Sequence, residues 1–269
     1  ERCGASVWAA PYAAREVFPE DHPQFAGFLN AWRDQIRDAL AQHDAILVAG
    51  APVFTYHVEG SGPHWPEGAK LAALSDDPQH IAALPGGEGV LGDVAAGLAA
   101  LAEAVKERAF AGQTHRLKDP PATMTATYVL RRIAELRPAE AVIVEEAPTA
   151  RGPMHSALPI TRKNGFYTCA SGGLGYGLPG AVGVALGQQD KVIAVLGDGA
   201  AMYTIQGLYA ARNEGANISF VILNNGAYAA LTGFSGEFGM NHVPGCDLGG
   251  LDFVRLAEAQ GLTARRVET

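Results

Sequence analysis

Charge is scarce in this chain. Only 18% of its 269 residues are Asp, Glu, Lys or Arg, and the formal net charge is −8. No run of Lys and Arg could track a phosphate backbone, so nucleic acid is not expected as a partner. Cysteine is rarer still. Cys3, Cys169 and Cys246 are odd in number, far apart and form no C-x-x-C pair, which excludes a disulfide framework and a zinc site and fits a reducing cytoplasm. Long apolar runs are missing too: no stretch approaches a membrane span, and the opening "ERCGASVWAAPYA" lacks a signal peptide's basic start and apolar run. A membrane partner is therefore not expected either.

What is abundant is small and apolar. Hydrophobic residues make up 48% of the chain and glycine contributes 33 residues, a composition suited to tightly packed α/β layers with Gly-rich turns. The length is natural for two domains. The chain lacks an initiator Met, and "GLTARRVET" stops where an α/β domain would begin another strand, so truncation of both domains is expected.

Periodicity divides the chain. "ASVWAAP" reads as a strand, "FAGFLNAWRDQIRDALAQHD" as a helix, "AILVAGAP" and "AKLAALSDDP" as strands, and "GVLGDVAAGLAALAEAVKERAF" as a second helix. The polar, aperiodic "AGQTHRLKDPPATM" with Pro120-Pro121 reads as a linker over residues 111–121, separating a domain at 1–110 from one at 122–269. Beyond it the spacing predicts a helix in "TATYVLRRIAELRP" capped by Thr125, a strand in "EAVIVEEAP", a helix in "GLPGAVGVALGQQ" and a strand in "KVIAVLGDG". One helix over "AMYTIQGLYAARNEG", a strand in "ISFVILNNGAY" and a helix in "DFVRLAEAQGL" follow. The expected fold class is α/β, with two doubly wound parallel-sheet domains.

The chemistry concentrates at two strand ends. "KVIAVL" is apolar without alternation, as in a central parallel strand, and ends in Gly197-Asp198-Gly199. Ligands of open α/β sheets bind beyond the carboxyl ends of strands. Gly199 is expected to allow close backbone approach and a positive φ, and the following helix start offers N–H groups to a phosphate. An anionic Asp198 beside a phosphate then calls for a cation between them. "ISFVIL" ends in Asn224-Asn225. Were the two strands sheet neighbours, Asp198 and Asn225 would lie about 5 Å apart. With the Ala227 carbonyl they would provide three hard oxygens, which two diphosphate oxygens and a water complete to an octahedron for Mg²⁺.

Gly-Asp-Gly followed by Asn-Asn at this spacing resembles the signature of thiamine diphosphate-dependent enzymes. "FYTCASGGLGYGLPGAVGVAL", "NNGAYAALTGF", "VPGCDLGGLDF" and "AILVAGAPVFTYH" are similar to the benzoylformate decarboxylase branch of that family. The resemblance implies the middle and diphosphate-binding domains, with thiamine diphosphate and Mg²⁺ as cofactors and Asp198, Asn225 and Ala227 on the metal. It further implies that Leu174 props the cofactor into its bent form and that the Gly172 carbonyl accepts its amino group. Thr149, Gly199, Ala200 and Tyr228 complete the cofactor set. Pro148 stands where the family has a hydroxyl residue, as does Ala200. By the same resemblance His57 shuttles a proton, and Ala230 and Phe234 line the substrate pocket. The implied reaction is non-oxidative decarboxylation of an aromatic 2-oxo acid to an aldehyde and CO₂, by a homodimer or homotetramer when full length. The Glu that activates the cofactor belongs to a pyrimidine-binding domain, so the 269 residues alone are expected to be inactive.

Three other readings stay open at this point. Gly175-Tyr-Gly177-Leu-Pro-Gly180 fits a dinucleotide-binding G-x-G-x-x-G with Asp198 downstream. An acetolactate synthase-like or other 2-oxo acid decarboxylase would share the metal motif. A non-catalytic assembly module would need neither. His64, His115 and His155 have no family-like flanks and read as ordinary polar residues.

Overall fold

The computed structural model of the chain describes residues 2–111, 123–240 and 242–268. They form two compact units, Glu1–Ala13 with Glu20–His115 and Ala14–Pro19 with Arg116–Thr269. All but the first residue of the expected linker lies outside the described residues, as does His115.

In the first unit, β1 (Val7–Ala9) and β2 (Phe25–Phe28) pair in parallel, and α1 (Arg33–Ala39) follows. A second sheet is built from β3 (Ala45–Ala49), β4 (Lys70–Ser75) and, beyond the short α2 (Pro78–Ala82), β5 (Glu88–Leu91). Its order is β3-β4-β5, parallel throughout. α3 (Val94–Ala104) closes the unit. Ile36, Leu40, Val48, Leu71 and Ala73 form its buried centre.

Two expected helices start later than periodicity suggested. "FAGF" is strand β2, because Gly27 sits at φ +127°, outside helical space, and pairs with Trp8. "GVL" belongs to β5, where Val90 pairs with Leu74. The helix begins only after Asp93, whose carboxylate accepts the Ala96 N–H at 2.7 Å.

The second unit runs α4 (Ala126–Leu136), β6 (Val142–Glu146), α5 (Arg151–Ala157), β7 (Phe166–Thr168), α6 (Gly177–Gln188) and β8 (Val192–Gly197). Then come α7 (Asp198–Met202), α8 (Gly207–Asn213), β9 (Ile218–Leu223), α9 (Ala229–Gly236) and α10 (Phe253–Ala259). Thr125 caps α4 as expected, accepting from Tyr128 N at 3.2 Å. The sheet is parallel in the order β7-β6-β8-β9. One face packs Ile143 and Val195 against Leu130 of α4 and Met154 of α5. The other packs Val142, Val144 and Leu196 against Leu178 and Ala181 of α6, Leu208 of α8 and Ala257 of α10. Helices cover both faces, which is the doubly wound arrangement.

The helix expected over residues 201–215 is two helices. Residues 203–206 turn with short-range bonds such as Gly207 N–H to Thr204 O at 2.8 Å. The β-branched pair Thr204-Ile205 favours the break, and the Thr204 hydroxyl is thereby free to donate to the Gly175 carbonyl at 3.2 Å.

Candidate functional site

β8 and β9 are sheet neighbours, with Gly197 opposite Leu223. Asp198 and Asn224-Asn225 therefore leave the same sheet edge side by side. Asp198 is 3% exposed. Its Oδ1 accepts the Gly199 N–H at 2.9 Å and its Oδ2 accepts the Gly226 N–H at 2.7 Å. Among the described residues no Lys, Arg or His forms an ion pair with it. A buried carboxylate held by two neutral donors and no cation is a costly arrangement unless a positive ion completes it.

Gly226, at φ +70°, lies between Asn225 and Ala227, so the Asp198 contact draws the three expected metal ligands to one corner. Asn225 Oδ1 accepts the Ala227 N–H at 3.1 Å and keeps a second lone pair. Ala227 faces Asp247 across a short antiparallel bridge. The bonds there run from Tyr228 N–H to Cys246 O and from Leu248 N–H to Gly226 O. Ala227 is thus the non-hydrogen-bonded partner, and its carbonyl points away from residues 246–248. Among the described residues no three His, Cys, Asp or Glu cluster as metal ligands. One carboxylate, one amide and one carbonyl instead make an all-oxygen set, which fits Mg²⁺ with phosphate oxygens filling the remaining positions.

Gly199 is required here for a reason the motif did not reveal. It has helical backbone, without the positive φ expected of it. A Cβ at this position would lie 2.3 Å from the Tyr228 ring and 3.0 Å from Leu248. Glycine lets the Tyr228 ring lie against the start of α7, where burial, with Tyr203 nearby, raises its phenol pKa. The Gly199 N–H is engaged by Asp198, and Ala200 is buried at 3% exposure.

The other expected cofactor residues sit on two neighbouring loops. Thr149 is exposed on a 3₁₀ turn, Pro148–Ala150, just after β6. Gly172, at φ +70°, and the half-buried Leu174 precede α6. Two residues that the motifs missed hold these loops. Glu146, at the end of β6, accepts from Gly175 N at 2.6 Å, Tyr176 N at 3.1 Å and Gly177 N at 2.8 Å. Its pKa is raised by burial, against the lowering influence of those three N–H groups. Glu145 is fully buried and points to the other face. It accepts from Ala147 N at 2.6 Å, Arg151 Nη2 at 2.8 Å and the Thr168 hydroxyl at 2.7 Å. The double Glu at a strand end was the available signal, because adjacent strand residues face opposite sides.

Glu146 also decides against the dinucleotide reading. The N–H groups of Gly175, Tyr176 and Gly177, which would cradle a pyrophosphate, are already taken by its carboxylate. Cys169, in the same loop region, has a thiol pKa lowered chiefly by its hydrogen bond with Ser171.

Ala230 and Phe234 share one face of α9, four residues apart and both exposed. The Phe234 ring meets Phe238 edge-on at 5.2 Å. His57 belongs to the first unit, in an exposed position after β3. Its backbone N–H donates to the Ala31 carbonyl at 2.7 Å, and its ring meets Tyr12 edge-on at 5.5 Å. His64 is not an isolated polar residue: its Nδ1 lies 2.8 Å from the Tyr56 hydroxyl. His155 is buried, edge-on to Phe166 at 5.0 Å.

Two family models match. Residues 1–101 match the central domain of thiamine pyrophosphate enzymes, and residues 150–269 match their C-terminal TPP binding domain. Benzoylformate decarboxylase of Pseudomonas aeruginosa is 37% identical over 276 residues, covering 100% of this chain and 52% of that protein. A putative acetolactate synthase large subunit of Mycobacterium tuberculosis is 34% identical over 201 residues, covering 71% of this chain and 38% of that protein. Among solved structures, benzoylformate decarboxylase from Polynucleobacter necessarius superposes with a TM-score of 0.96 at 35% identity, covering 100% of this chain and 52% of that one. A thiamine diphosphate-dependent 4-hydroxybenzoylformate decarboxylase from Rhodococcus jostii gives 0.93 at 36% identity, covering 99% and 52%. The chain spans about half the length of these decarboxylases.

Proposed function

Because the chain belongs to the thiamine pyrophosphate enzyme family, we propose that it is the middle domain (1–110) and diphosphate-binding domain (122–269) of a 2-oxo acid decarboxylase acting on an aromatic, benzoylformate-like substrate. The observation that carries the cofactor assignment is the buried Asp198 carboxylate on the Gly226 N–H, between Asn225 and Ala227 and unpaired with any Lys, Arg or His among the described residues. On this reading Asp198, Asn225 and the Ala227 carbonyl hold Mg²⁺, and Mg²⁺ holds the diphosphate.

Bound thiamine diphosphate supplies the electron sink for the departing CO₂. The chain's own residues bind and orient. Thr149, Gly199, Ala200 and Tyr228 line the cofactor's place, Leu174 supports its bent form, and the Gly172 carbonyl accepts its amino group. Ala230 and Phe234 present an apolar helix face to an aryl group. His57 holds or moves a proton at its imidazole. The aromatic substrate is favoured over pyruvate because the decarboxylases named above match essentially the whole chain, whereas the acetolactate synthase matches 71%. The reading extends to a homodimer or homotetramer of the intact protein. It also includes a reducing cytoplasmic setting, on the three free cysteines. Among the described residues no helix is long and apolar enough to cross a membrane.

Product analysis tests this. A polypeptide joining this chain to a pyrimidine-binding domain should convert benzoylformate to benzaldehyde and CO₂. A dominant acetolactate product from pyruvate would overturn the substrate assignment. The 269 residues alone should show no substantial turnover, and robust activity would refute the need for the activating Glu.

A further inference from the structure

We propose that Glu146 is a positioning residue, bracing the Gly172–Leu174 turn in the shape that receives the ring portion of the cofactor. The inference rests on the cofactor reading above. Its starting point is distance along the chain: the carboxylate reaches across 29 to 31 residues to bind three consecutive N–H groups at 2.6–3.1 Å. A helix start is ordinarily capped by a residue one turn away. Here the cap comes from a different strand, and the residue before α6 supplies no side-chain cap of its own.

The placement gives the brace its meaning. Glu146 is the last residue of β6, three before Thr149. The N–H groups that donate to it begin one residue after Leu174. The two loops proposed to line the cofactor are therefore joined by a single buried side chain, 3% exposed. The turn is gripped from the other side as well, where the Thr204 hydroxyl donates to the Gly175 carbonyl at 3.2 Å. Gly175 itself is at φ +97°, and a Cβ there would meet Tyr203 at 3.2 Å. The space beside Glu146 is equally tight: a Cβ on Gly177 would lie 2.6 Å from the Glu146 Cβ. The backbone that carries Leu174 and the Gly172 carbonyl thus has its downstream end held on two sides. The Mg²⁺ corner at Asp198, Gly226 and Asn225 uses none of these contacts.

That separation defines the test. The 269-residue chain and its E146Q variant are titrated calorimetrically with thiamine diphosphate plus Mg²⁺, and separately with inorganic pyrophosphate plus Mg²⁺. Gln keeps the side chain's length but has one acceptor oxygen, so it cannot satisfy donors at both ends of the turn. E146Q should bind thiamine diphosphate at least tenfold more weakly and pyrophosphate within twofold of the parent, since pyrophosphate lacks the rings. Equal binding of thiamine diphosphate by parent and variant would overturn the brace. A parallel loss of both ligands would overturn it too, by showing a general defect. A parent that binds neither ligand would refute the cofactor reading itself. Should E146Q fail to fold, E146D is measured in the same way. It keeps the charge but is one methylene shorter, and it must show the same selective loss of thiamine diphosphate for the inference to stand.

Discussion

The Asp198 carboxylate accepts the Gly226 N–H at 2.7 Å, tying the end of one strand to the loop after its neighbour. This bond turns two separate strand ends into one polar corner. It orients the acid with a neutral donor, and among the described residues no Lys, Arg or His pairs with that carboxylate.

Replacing Asp198 by Asn should separate binding from folding. Mg²⁺-dependent affinity for thiamine diphosphate should fall at least tenfold, read by calorimetric titration. Urea denaturation should show a change of under about 1 kcal/mol, because losing an acceptor for one of two N–H groups is offset by removing an unpaired buried charge. A large loss of stability with unchanged affinity would contradict the role given to this residue.

Gly199→Ala should destabilise by about 1–3 kcal/mol through overpacking, since its Cβ would lie 2.3 Å from the Tyr228 ring. The cost should shrink when Tyr228 is also replaced by Ala, because residues in contact couple. Thermal melts of the four proteins in the cycle measure the coupling. Equal costs in both backgrounds would show that the ring is not the obstacle.

Arg151→Met should cost about 2 kcal/mol in urea. Stranding a buried carboxylate usually costs more. Here the Arg side chain is 37% exposed, and Glu145 retains the Ala147 N–H and the Thr168 hydroxyl. Adding Glu145→Gln to Arg151→Met should recover part of the loss. A double variant no better than Arg151→Met would show that charge is not the cause.

His64 makes the first unit sensitive to mild acid. Burial, then the Arg33 charge, lowers its pKa below the ordinary 6.5. In the interval between the folded and unfolded values the unfolded chain binds more protons, so stability rises with pH up to about 6.5 and is lost as pH falls through that interval. Unfolding free energies of the parent and His64→Gln, taken from pH 5 to 7, should diverge as pH rises. A constant gap would show that His64 does not titrate differently on folding.

The meeting of Asp198 with the turn at Asn225–Ala227 was legible because its signals are local: an acid and an amide, each ending an apolar run. The strands of the second unit, except short β7, were legible for the same reason. β7 has only three residues in a Gly- and polar-rich stretch, and its identity as a strand comes from pairing with Ile143 to Glu145. β2 and β5 were hidden because each abuts a helix with apolar residues of its own, and neither pattern announces where the period changes. Gly27 and Asp93 mark those changes. Glu145 and Glu146 escaped notice since their partners lie up to 31 residues away, a relation no short motif contains. The role of Gly199 was likewise set by Tyr228, a ring brought to it only by the fold.

β6 is buried along its whole length, and its last two residues send carboxylates to opposite faces. The strand therefore has a phase as well as a position. Inserting or deleting one residue within it would exchange the two acids, aiming Glu145 toward α6 and Glu146 toward Arg151, while turning each apolar side chain to the wrong layer. Only changes of two residues preserve the assignment. Length variation in this strand should therefore come in even steps, a parity rule that an insertion library across Val142–Glu146 would expose as alternating folded and unfolded members.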